Sequence, residues 1–358
     1  MSRARTAVVA IALGACAVAC APAREPARPL VRLERTSRIE RSECWSMHGR
    51  MQTLAGRRFA FQAAFFRYPL GEREDALAAE YTLIDEATGE TVADGRTIRS
   101  NARHDGSAAS RIDVGDWYVR SVPTHDARRE RFDVRLRTSD GETMLALNPA
   151  KSPTPSPAYT GIAFTRMRAT GFVAIAGRRF AAAGSAWLDR EYRCDENDRE
   201  RGTQRFELQL TDGREVELFA TRWSDGRYGV RRADQTYALR RGAMSPEGPT
   251  IPAGGMMVDR NGGVQRLDPD DVTVTIQGDT RWHSPHETAT YPALWRVAVR
   301  GTLEPLALEP VRRDQEVVPP ISGVPVWRGA VDLAEADPPG LLRGTGLVEL
   351  TGFATAER

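Results

Sequence analysis

Two carboxylates and an indole stand close together in the segment Trp187-Leu188-Asp189-Arg190-Glu191-Tyr192. Residues two apart on a strand point to the same face, so an extended chain puts Asp189 beside Trp187. A carboxylic acid transfers protons near neutrality only where apolar surroundings raise its pKa. An aromatic face nearby can stabilise a cation formed by that transfer. Asp189 and Glu191 are therefore the candidate catalytic residues. The alternative is a structural carboxylate paired with Arg190 or another of the many arginines. Such a partner would lower the pKa and remove the acid.

Trp45, Trp117, Trp187, Trp295 and Trp327, with Tyr192, are the candidate ligand-binding aromatics. Large aromatics are equally ordinary core filling. His48 follows Trp45 by three places, so on a strand it faces the other way and reads as a surface or satisfied histidine. His283 and His286 flank a Ser284-Pro285 turn and are too few to hold a metal. No CxxC or HExxH is present, and no metal site is expected. The absence of a Gly-x-Ser-x-Gly elbow disfavours a serine hydrolase.

The elements that must position these residues are short. Phe132-Asp133-Val134-Arg135-Leu136, Phe206-Glu207-Leu208-Gln209-Leu210 and Val272-Thr273-Val274-Thr275-Ile276 alternate apolar and polar, as does much of Arg58 to Phe65. Period two marks a half-buried strand. Asp140-Gly141, Asp212-Gly213, Asp225-Gly226 and Asn261-Gly262-Gly263 punctuate hairpins. The best helical stretch is short, Arg73 to Glu80. The pattern predicts an all-β protein of barrels or sandwiches. A strand, tight turn, strand and closing arginine recur from Trp45 to Arg67 and from Phe206 to Arg222. This echo suggests two similar halves.

The chain has 358 residues, 41% of them hydrophobic, enough for two ordinary domains. Lys151 is its one lysine, and the formal net charge is +2. Arg3 and Arg5 lie in a segment expected to be removed, so the mature chain is near neutral. That excludes the basic footprint of a nucleic-acid binder. Thr6 to Ala19 is small and apolar, too short to span a bilayer and fitting a signal sequence. Leu13-Gly14-Ala15-Cys16 and Ala17-Val18-Ala19-Cys20 both resemble lipoboxes. Cys20 is the expected lipidation site, with Cys16 the alternative, giving a membrane anchor through an N-terminal lipid. Residues 20–41, with three prolines, read as a tether.

Several segments together resemble the AttH and carotenoid 1,2-hydratase family. Glu43-Cys44-Trp45-Ser46-Met47-His48-Gly49 is similar to its opening motif, and Gly56 to Arg67 to its next strand. Asp116-Trp117, Phe164-Thr165-Arg166-Met167 and Gly184 to Tyr192 follow in order. So do Trp282-His283-Ser284-Pro285, Tyr291-Pro292, Trp295-Arg296, Trp327-Arg328-Gly329 and Glu349 to Phe353. The resemblance implies two lipocalin-like antiparallel barrels in tandem, an N-terminal one over 42–180 and a C-terminal one over 181–358. The departures fall where the family's chemistry is expected. Cys44 replaces a tryptophan, Glu80 a histidine, Arg190 the middle of Asp-His-Glu, and Thr203-Gln204-Arg205 a Trp-Asp-Trp.

The resemblance implies one of two functions. The first is an envelope-anchored lipoprotein that binds or carries a hydrophobic, lipid- or terpenoid-like ligand, alongside an ABC transporter of the lipoprotein-export type. The second is a cofactor-free hydratase, isomerase or cyclase, in which a carboxylic acid in a barrel mouth protonates a lipophilic alkene. The lost family residues favour the first. Ala17 and Ala21, not aspartate, follow the two lipid cysteines, which in a diderm envelope fits the periplasmic face of the outer membrane. Glu43 is expected in an ion pair locking the halves or in contact with ligand. In an oxidising compartment Cys44 and Cys194, the remaining thiols, are candidates for a disulfide between two motifs that face the pocket in relatives. Two independent buried thiols are the alternative.

Overall fold

The structure is a computed structural model. It describes residues 42–70, 74–100, 110–123, 130–157, 160–192, 201–223, 227–231, 237–278, 281–286, 289–318, 323, 325–336 and 339–353. Among these residues there is no helix. Two large antiparallel sheets form a nearly closed barrel followed by a half-barrel, in tandem lipocalin-like arrangement.

Eleven strands from Glu43–Gln52 to Arg178–Tyr192 make the first sheet. Fourteen from Arg201–Leu210 to Pro339–Leu350 make the second. In each, the last strand returns to pair with the first. In each, the first strand also forms a hairpin with the next, Arg58–Pro69 in one and Glu215–Trp223 in the other. The echo in the sequence is thus a repeat of topology.

Alternation fills both barrels. Phe132, Val134 and Leu136 are buried in the first, and Phe206, Leu208 and Leu210 in the second. The turn glycines take the left-handed backbone that hairpins require: Gly141, Gly213 and Gly262 all have positive φ.

Two expectations change. The stretch Arg73 to Glu80 holds no helix among its described residues; from Asp75 it belongs to the strand Asp75–Asp85. Its alanines and Leu77 are good helix formers, but the strand is buried on both faces and packing overrides propensity. The boundary at 180/181 falls inside a strand, Arg178–Tyr192, that is paired on both sides. Ala176 and Gly177, with φ of 51° and 67°, form the two-residue turn of a hairpin within the first barrel, not a linker. The divide therefore lies beyond Tyr192.

The two barrels stack wall to wall. Carboxyl groups are buried there: Asp189 is 1% exposed, Glu207 2% and Glu217 0%. Arg50 reaches from the opening strand to Glu86 and to Asp332 of the second barrel. Lys151 holds Glu215 at 2.6 Å and the carbonyls of Gly213 and Asp259 at the same distance. Arg166 holds Glu215 as well. The sole lysine of the chain is therefore an interbarrel clamp.

Candidate functional site

Directly opposed residues in a sheet share a face, so strand register lays out the two facing walls. On the first wall Phe66, Cys44 and Glu191 form one row and Ala64, Ser46 and Asp189 the next. His48 and Trp187 follow. On the second wall Phe219, Arg205, Glu349 and Arg328 form a row, with Glu217, Glu207 and Leu347 below it.

The walls meet at Arg205. Its Nη1 donates to Glu191 at 3.0 Å and its Nη2 to Asp189 at 2.7 Å, both carboxylates belonging to the first barrel. Its Nε lies 2.6 Å from Glu207, and Nη2 3.5 Å from Glu217. One guanidinium thus serves four carboxyl groups, two from each barrel. Ser156, in the short Pro-Ser loop of the first barrel, donates to Glu217 at 3.1 Å. His48 Nε2 is 2.5 Å from Glu207, and its ring stacks on Trp187. Trp187 in turn donates from Nε1 to Asp189 at 2.8 Å.

Four carboxylates cannot all ionise around one cation in a buried space, because desolvation and mutual repulsion both favour protons. Burial pushes Glu191 up to about 7, against the pull of Arg205, with Asp189 adding to the rise. Burial likewise pushes Glu207 up to about 7, again against Arg205. Glu217 is raised by burial too. Burial holds His48 down to about 3, which favours the neutral imidazole beside Glu207. The protons belong to the cluster as a whole.

The cluster opens to solvent on one side. The Glu191 side chain is 20% exposed, whereas that of Asp189 is 2%. Ser46, Phe66, Phe219, Arg328 and Glu349 are partly exposed around it. On the other side a narrow cleft lined by His48, Gln62, Ser185 and Gln209 has room for a water molecule.

The structure brings Asp189, Glu191 and Trp187 together as their spacing implies, but on the outer wall of the first barrel rather than in its mouth. Arg190 is not the partner of Asp189. It points to the opposite face, donates to Glu43 at 2.9 Å and covers the Trp45 ring. Glu43 also accepts from Trp45 and lies 3.9 Å from Arg67, so the ion pairs expected to lock the two halves are seen here within the first barrel. Trp45 and Trp117 pack in the first core, and Trp295 and Trp327 in the second; all four are fully buried. Neither the narrow cleft nor a shallow pocket beside Tyr228 and Met244 is lined by any of the five tryptophans. Tyr192 lies at the end of its strand, under Arg190. Cys44 is disulfide-bonded. Cys194, Cys16 and Cys20 lie outside the described residues.

Arg205, Glu207, Glu217 and His48 are absent from the sequence-based candidate set. Alternation assigns them to solvent, and the signal available was Arg205 itself, an arginine in place of an expected aromatic.

A family model described as AttH-like matches residues 35–353. The chain belongs to the AttH-like family. A crystal structure of an AttH protein from Nitrosomonas europaea is similar at 22% identity and TM-score 0.68, covering 92% of this chain and 100% of that one. Kievitone hydratase from Nectria haematococca is similar at 11% identity and TM-score 0.60, covering 86% of this chain and 88% of that one. At these identities the likeness concerns the fold. No curated protein matches in sequence. In this AttH-like chain the seam gathers ionisable groups from both sheets, and Glu43, Arg67, Asp75 and Arg190 form a separate ionic group on the Trp45 face of the first barrel.

Proposed function

We propose that this AttH-like protein performs cofactor-free acid catalysis on an uncharged, lipophilic alkene at the seam between its barrels, as a hydratase, isomerase or cyclase. One observation carries the reading: a single guanidinium is shared by four carboxyl groups, so the seam retains protons near neutrality. Glu191, the most open of the four, donates the proton to the double bond. The Asp189 carboxyl behind it and the partly exposed rings of Phe66 and Phe219 beside it stabilise the cation. Arg205 already spends its donors on carboxylates, which disfavours an anionic substrate.

The test is incubation with geranylgeraniol, a trisubstituted polyprenyl alkene, in detergent micelles made with deuterium oxide. The wild-type protein incorporates deuterium at the alkene, and Glu191→Gln does not. Wild-type protein that leaves the alkene unlabelled overturns the reading.

A second reading is favoured by the same salt bridges. Asp189 and Glu191 tied to Arg205 also suit a purely adhesive role, in a lipoprotein that carries a hydrophobic ligand beside an ABC transporter. Anchoring through Cys20 or Cys16, at the periplasmic face of an outer membrane, is compatible with both readings and is supported by the sequence alone.

A further inference from the structure

We infer that Glu349 is the base that takes a proton from the adding water, held in place by Arg328, so that the seam catalyses hydration. The inference rests on the acid chemistry proposed above. Glu349 lies on the strand Pro339–Leu350, directly between Arg205 on one neighbouring strand and Arg328 on the other. Arg328 donates from Nε to Glu349, and its Nη1 lies 4.0 Å from Glu80 of the first barrel. The Glu349 side chain is 21% exposed and that of Glu191 20%, so both carboxyls are within reach of solvent.

The two carboxyls face different surroundings. Glu191 shares Arg205 with three other carboxyls, whereas Glu349 has Arg328 bonded to it and Arg205 beside it. Burial alone would raise Glu349, but Arg328 and Arg205 outweigh it and hold the group below the usual glutamate value. Its charge is felt by Glu191, Glu207 and His48, which places it within the same cluster. Two neighbouring carboxyls pushed apart in this way mark an acid and a base.

The step balances without a co-reactant. The Glu191 proton forms the new C–H bond as the π bond breaks, leaving a tertiary cation. Water forms the C–O bond, and its proton passes to Glu349. Glu349 then loses that proton to solvent, and Glu191 regains one.

The experiment uses the full mature protein with geranylgeraniol micelles in two parallel reactions. One is in deuterium oxide, to read protonation; the other is in heavy-oxygen water, to read water addition. Glu349→Gln should lose heavy-oxygen incorporation by about 100-fold or more, the usual scale for a lost general base, while deuterium uptake persists. Glu349→Asp should recover part of the water addition. Water addition at the wild-type rate in Glu349→Gln would overturn the inference, as would equal loss of both labels in folded protein. Wild-type protein that takes up neither label would instead overturn the acid chemistry itself.

Discussion

Arg205 opens the second barrel and Glu191 closes the first, and the 3.0 Å hydrogen bond between them crosses the seam. The same guanidinium reaches Asp189 and Glu207. A proton-rich cluster is thereby built from parts that neither barrel holds alone. Its chemistry and the docking of the barrels depend on the same atoms.

Removing the cation should be costly. Arg205→Gln leaves four buried carboxyls without their shared partner, and breaking a buried ion network by losing one member costs roughly 3–5 kcal/mol. The loss should shrink in mild acid, where the carboxyls take up protons. Urea unfolding at neutral and mildly acidic pH checks both points; an unchanged midpoint at neutral pH would show that Arg205 is not the hub.

Stability should fall as pH rises through the seam's titration. Glu191 and Glu207 ionise at about 7 in the folded chain, above the ordinary glutamate value near 4.5. Between those values the native state holds more protons than the unfolded one, so raising the pH destabilises it. Glu217 acts in the same direction. His48, held at about 3 against 6.5, acts oppositely between those values, because the unfolded chain takes up its proton first. Three raised carboxyls outweigh one lowered imidazole. The melting temperature should be higher at about pH 5.5 than at about pH 7.5. Glu207→Gln should narrow the difference; a melting temperature that climbs across this range would contradict the cluster.

Much of this was legible in the sequence, but not the seam. The strands, the hairpin glycines and the shared face of Trp187 and Asp189 follow from period two. Period two cannot say that the polar face of Arg201–Leu210 meets another wall, so Glu207 reads as solvated. The boundary expected at 180/181 falls just past the Ala176-Gly177 hairpin turn, because glycine turns mark hairpins and domain junctions alike. The helix-forming composition near Leu77 was outvoted by burial on both faces.

The disulfide at Cys44 is proposed to close on Cys194. Glu43 pairs with Tyr192 at the end of the strand that precedes Cys194 by two residues. A link closing about 150 residues is worth roughly 5 kcal/mol in the chain-entropy model, less any strain. Peptide mapping without reductant should recover Cys44 and Cys194 in one linked species. Recovery of Cys194 as a free alkylatable thiol would exclude this pairing.

Lipid anchoring makes its own forecast. Cys16→Ala combined with Cys20→Ala should release the protein from membranes or block its processing. A processed double variant that still fractionates with membranes would mean that the anchor is elsewhere.

The central claim is that the seam holds a carboxylic acid still protonated at neutral pH. The direct measurement is a pH titration of glutamate side-chain carboxyls by NMR on isotope-labelled mature protein, with Glu191→Gln as the assignment. The account predicts a carboxyl that titrates at about 7 and vanishes in that variant. If every glutamate in the wild-type protein titrates in the ordinary range around 4, the seam is a set of salt bridges and the acid mechanism fails.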